Sequence, residues 1–187
     1  MKPYNVLSVA ALALLIGACA TPSPSEKASK QAEVRQATHK SLDKFYKADP
    51  KLQSAVASAP GYAVFTTYGL SFIIGGAGGS GLVHNNRTNA DTFMDMAQAS
   101  AGAQIGAAQT DTLIIFKTPE AMQKFVDKGW DAGGGVVAQA GAKGESSGPG
   151  SGENVIADAK YFTLTPNGLQ AGVAGAGTKY WKSKDLN

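Results

Sequence analysis

Residues 61–83, GYAVFTTYGLSFIIGGAGGSGLV, decide the fold. Residues 62–67 and 70–74 are β-branched and aromatic runs of strand length, interrupted at Gly69 and followed by a glycine cluster, the pattern of buried sheet joined by tight turns. Gly75, Gly76, Gly78, Gly79 and Gly81 put glycine where the chain takes a positive φ or where a Cβ would obstruct a close backbone approach. The stretch predicts closely packed strands at the centre of the protein.

Upstream, residues 26–47 read as a helix. Ser25 is placed to cap it, and Val34, Thr38, Leu42, Phe45 and Tyr46 recur at spacings of three and four. Lys40, Lys44 and Lys47 share another face, with Lys51 just beyond; they form either a basic stripe for anionic headgroups or the solvated face of a packed helix. Glu33, Asp43 and Asp49 dilute the charge and favour the second. Asp49-Pro50 supplies a cap and a first-turn proline for a short helix over 51–57, stopped by Pro60 and Gly61.

Downstream, residues 85–89 (NNRTN) form a turn, and 91–98 fit neither period. Residues 100–108 and 112–117 read as a small-residue strand and an apolar one, turned at 109–111. Thr118-Pro119-Glu120 opens a helix with Met122, Phe125 and Val126 on one face and Gly129 at its end. Residues 133–142 and 169–177 are further Ala/Gly strands, and 143–152 form a loop. Strand character resumes at 155–164, and Pro166-Asn167-Gly168 is a hairpin turn. Strands so poor in large side chains allow close packing or leave a slot for an acyl chain; packing is the default. The fold class expected is α+β: a mostly antiparallel, strongly curved or barrel-like sheet over residues 61–181 with flanking amphipathic helices. A membrane barrel is disfavoured because outward aromatic and aliphatic alternation is missing.

The amino terminus reads as a leader. Lys2 precedes an apolar run over 6–16 that is too short for a permanent span, and Ile16-Gly17-Ala18-Cys19 resembles a bacterial lipobox. This divides the chain into a lipoprotein signal peptide (1–18), an acylated cysteine and tether (19–25), and a single domain (26–187). Cys19 is the only cysteine, so disulfides within the chain are excluded. Ala20, in place of aspartate, implies by the same resemblance an outer-membrane lipoprotein on the periplasmic face. The formal charge is only +3, one of which is Lys2, so a strongly basic nucleic-acid binder is not suggested. Glycine (23 residues) against 17% charged residues fits a β-rich protein with many turns better than a helical bundle.

Catalytic motifs fail on context. Residues 144–148 (GESSG) match the nucleophile elbow but sit in a Gly/Pro/Ser loop with no histidine after them. Residues 76–81 (GAGGSG) fit a dinucleotide fingerprint, yet strand and turn follow instead of a helix. His39 and His84 lack metal-ligand spacing. No enzyme, cofactor or metal site is expected.

Gly61-Tyr62-Ala63-Val64-Phe65, the glycines at 75–81 with Leu82-Val83, the 104–106 strand, Leu113-Ile114-Ile115-Phe116 and Lys179-Tyr180-Trp181 resemble, in that order, the SYLF-domain family. The resemblance runs from about Val34 to Asn187. It implies phospholipid binding, since eukaryotic members are associated with phosphoinositide membranes and, in yeast, with actin regulation. Relatives often carry a proline and a lysine or further glycines after the Phe65 strand, where this chain reads TTYGLSF, so a basic headgroup site there is not carried over. The basic and aromatic residues left for anionic lipid are Lys40, Lys44, Lys47, Lys51, Lys179, Tyr180, Trp181, Lys182 and Lys184. Two functions follow: a lipid-binding module anchored by acyl chains on Cys19, or an envelope scaffold with a protein partner whose lipid is only an anchor.

Overall fold

The computed structural model describes residues 23–71, 74–101, 106–131, 139–140, 158–166, 168–172 and 178–187. Along the chain these form helices α1 (Pro24–Ala48) and α2 (Lys51–Ser58), then strands β1 (Gly61–Ser71), β2 (Ile74–Asn85), β3 (Ala90–Ala101) and β4 (Gly106–Phe116). Helix α3 (Pro119–Lys128) follows, then β5 (Trp130–Asp131), β6 (Gln139–Ala140), β7 (Ala159–Thr165), β8 (Gly168–Gly172) and β9 (Thr178–Lys182). The strands join one curved antiparallel sheet in the order β5-β9-β3-β2-β1-β4-β7-β8-β6. The α+β expectation holds. Among the described residues the sheet is unclosed, and the order has two-residue strands at both ends.

Strand alternation gives the sheet two buried faces. Ala63, Phe65, Val83, Met94, Met96, Ile114, Phe116 and Tyr180 pack with Met122 and Phe125 of α3. Tyr62, Val64, Leu113 and Ile115 pack on the other face with Leu42 and Phe45 of α1 and Leu52 and Val56 of α2, while Leu82 and Phe93 meet Val34 of α1. Fully burying a large apolar side chain contributes about 1.5–3 kcal/mol, so central strands covered on both sides set the stability.

Several local readings are corrected. The glycine cluster is not a turn: β1 runs straight through Gly69, and Gly75 to Gly81 lie within β2, antiparallel to it. A Cβ on Gly81 would fall 2.1 Å from the Val64 carbonyl oxygen and 2.6 Å from the Phe65 ring, and one on Gly79 2.3 Å from the Thr66 carbonyl oxygen. Glycine is needed there because neighbouring strand and aromatic ring occupy the space. The ambiguous 91–98 segment is strand β3. Residues 109–111 are the middle of β4, not a turn. Helix α1 starts earlier than Ser25, because Ser23 and Glu26 form a capping box with Pro24 at the first position.

Other signals hold. Asp49 N–H donates to the Phe45 carbonyl at 2.8 Å, ending α1, and its carboxylate accepts from Lys51 N–H at 3.0 Å, starting α2. Asn85 Oδ1 accepts from Arg87 and Thr88 N–H in the expected turn. Thr118 caps α3, Gly129 ends it at φ +64°, and Gly168 (φ +116°) turns β7 into β8. The leader with Cys19, most of the strand expected over 133–142, and the 143–152 loop lie outside the described residues.

Candidate functional site

Helix α1 crosses one face of the sheet, and a cavity of about 360 Å³ opens along its flank. Lys30, Glu33, Val34 and Ala37 supply the helix wall, and Thr66, Tyr68, Ser80 and Asp95 the sheet floor. The floor residues share a face because Thr66 pairs with Ser80 and Ser80 with Asp95. Ser183, Asp185 and Leu186 close the third side. Beyond the helix the same face continues through Tyr68, Gly78 and Ala97, all exposed. A Cβ on Gly78 would meet nothing within 4 Å.

A buried polar cluster fixes this helix to the sheet. Asp111, 3% exposed, accepts hydrogen bonds from Lys44 Nζ (2.7 Å), Ser41 Oγ (2.9 Å), Thr66 Oγ1 (3.0 Å) and Gln109 Nε2 (3.2 Å). Burial alone would raise its pKa, but Lys44, Ser41, Gln109 and Thr66 together hold the carboxyl below the usual range. On the opposite flank of α1, Asp91 takes Arg35 Nε at 2.7 Å and His84 Nδ1 at 2.8 Å, and Arg35 lies over the Phe93 ring. Burial pushes Asp91 up as well, and those two partners bring it below the ordinary value. Asp95 behaves oppositely. Burial and the nearby Asp185 charge raise its pKa despite a bond from Ser183, and among the described residues it has no ion-pair partner.

The structure separates the sequence-predicted lipid contacts. Lys40, Lys47 and Lys51 are exposed toward the far end of α1 and the start of α2. Lys44 is committed to Asp111 and is not a headgroup ligand in waiting. Tyr180 is removed from the surface set: it is 1% exposed, 4.6 Å from the Phe65 ring centroid, stacked on Trp130, and bonded to the Tyr161 hydroxyl. Burial raises both tyrosine pKa values. Trp181 and Lys179 point to the α1 face and Lys182 to the other, as strand parity requires. β9 and β4 are four strand spacings apart, about 19 Å, so the two groups of lysines do not converge.

Sequence reading missed Tyr68, Asp95 and the Ser41–Thr66–Asp111 cluster. A signal for the cluster was available: Ser41 and Lys44, three residues apart, share one flank of α1, and the polar Thr110-Asp111-Thr112 interrupts an otherwise apolar run. No group of three potential metal ligands occurs among the described residues. No described helix is long and apolar enough to cross a membrane.

Residues 97–187, from β3 through β9, match the family described as Las17-binding protein actin regulator, Ysc84. The chain is 28% identical over 168 residues to Beta cell expansion factor A of Aeromonas veronii, spanning 86% of this chain and 60% of that protein. It is 30% identical over 140 residues to an SH3 domain-containing protein of Schizosaccharomyces pombe and 29% over 135 residues to LAS seventeen-binding protein 3 of Saccharomyces cerevisiae. These matches cover 72% and 69% of this chain but only 33% and 29% of the yeast proteins, so the chain spans about a third of their length. The chain belongs to the SYLF-domain (Ysc84) family.

Proposed function

We propose that the protein is a non-enzymatic lipid-binding module that contacts phospholipid at a membrane surface, held there as a lipoprotein by acyl chains on Cys19, on the periplasmic face of a bacterial outer membrane. The observation that carries this reading is the position of two aromatic side chains. Tyr68 is 68% exposed and Trp181 37% exposed, the large apolar side chains left in water among the described residues. Both stand on the face that carries the cavity. Amphipathic rings so placed suit the headgroup level of a bilayer. Exposed lysines add attraction to anionic lipid, about 1 kcal/mol each within a Debye length of the surface.

The test is co-flotation of the chain from Ala20 onward with vesicles of phosphatidylglycerol or cardiolipin against phosphatidylcholine, at low and high salt. Salt-sensitive binding to the anionic vesicles without Cys19 is the expected result. The names of the yeast relatives favour a second reading, an envelope scaffold that binds a protein partner. Failure to float under any condition would select that reading.

A further inference from the structure

Resting on the acylated Cys19 proposed above, we propose that the protein meets the bilayer with one corner: the first two turns of α1 together with Trp181 and the segment after β9. Cys19 lies four residues before Ser23, the cap of α1, a link that reaches at most about 14 Å. The first turn of α1 therefore stays at the headgroup level. Rising 1.5 Å per residue, the helix carries Lys30 only about 9 Å from Pro24 but Lys47 about 35 Å away.

The other end of the chain comes to the same place. Lys27 Nζ donates to the Asn187 carbonyl and Gln31 Nε2 to the Leu186 carbonyl at 2.7 Å. The Asn187 amide pairs with both the N–H and the carbonyl of Phe93. These bonds hold Lys184 and Asp185 against the start of α1. Trp181, on β9 just before this segment, is the exposed aromatic of the corner. Lys27, Lys30 and Lys184 stand there with the carboxylates Glu26, Asp95 and Asp185, and Glu26 is occupied by the Ser23 cap.

An alternative pose lays α1 flat on the membrane. It fits less well, because the outward face of α1 mixes exposed Glu33 and Asp43 with Lys40 and Lys47. It would also hold Trp181, which sits on the sheet beneath that helix layer, about 10 Å from the lipid.

The experiment uses the full acylated protein in phosphatidylglycerol-containing vesicles. The exposed positions are changed one at a time, Lys30→Cys, Lys184→Cys and Lys47→Cys, and labelled with a fluorophore; the lipid carries a headgroup nitroxide quencher. Several-fold stronger quenching at 30 and 184 than at 47 is expected. Equal quenching at all three, or strongest quenching at 47, overturns the corner. The chain from Ala20, floated in parallel, separates the two ideas. If it fails to bind while the 30 and 184 labels are quenched, intrinsic lipid binding falls and the corner stands. If it binds while 47 is quenched most, the corner falls alone.

Discussion

Replacing Asp111 by alanine tests whether the polar cluster holds α1 over the sheet. The substitution removes a carboxylate that is 3% exposed and accepts four hydrogen bonds, one from an ammonium. Ser41 and Thr66 keep each other at 3.1 Å, and the Lys44 side chain, 46% exposed, regains water. The cost is therefore below that of a fully buried broken pair: about 2–3 kcal/mol, or about 5–10 °C in Tm. The pH dependence follows from the depressed pKa of Asp111. A carboxyl lowered by folding contributes stability that is present above its unfolded pKa and lost as pH falls through the folded value. The difference between wild type and Asp111→Ala in urea unfolding followed by circular dichroism is thus full at pH 7 and shrinks below the ordinary carboxylate range. A change under about 0.5 kcal/mol at pH 7, or a difference that persists undiminished in strong acid, would mean that the Asp111 cluster does not hold α1 in place.

Two further substitutions probe the sheet and the cavity. Gly81→Ala brings a methyl against the Val64 carbonyl and the Phe65 ring and costs about 2–3 kcal/mol or more, whereas Gly78→Ala meets open space and stays within about 0.5 kcal/mol; thermal unfolding of the pair checks the contrast. Asp95→Asn raises Tm at pH 7, because a carboxyl whose pKa folding raises loses stability as pH climbs through its titration; the gain over wild type vanishes in acid, where the native side chain is protonated anyway.

How much was legible in the sequence depends on where each residue finds its partner. Helix α3 and the β7–β8 hairpin carry their own instructions in Thr118-Pro119-Glu120, Gly129 and Pro166-Asn167-Gly168, and both appear as read. The start of α1 was misplaced by two residues because Ser25 resembles a cap, but only Ser23 has a glutamate three positions on. The glycines of β2 and the Gln-Thr-Asp of β4 imitate turns locally. Their reasons lie elsewhere in the chain: the Phe65 ring over Gly81, and Ser41, Lys44 and Thr66 around Asp111, 45 to 70 residues away in sequence. Tyr180 reads as a surface aromatic among lysines, yet the parity of β9 turns it into the core and leaves Trp181 outside. Which lysines share a surface was illegible for the same reason, since it depends on the path of α1 across the sheet.

The emission of Trp181 in the presence of lipid reports whether the exposed ring enters the headgroup layer. The chain has two tryptophans, and Trp130 is stacked on Tyr180 in the core, so Trp130→Phe leaves Trp181 as the reporter. On adding phosphatidylglycerol vesicles to the chain from Ala20 onward, a blue shift and quenching by lipids brominated near the headgroup are expected from lipid binding. An unchanged spectrum at saturating lipid, with the fold intact by circular dichroism, would contradict it.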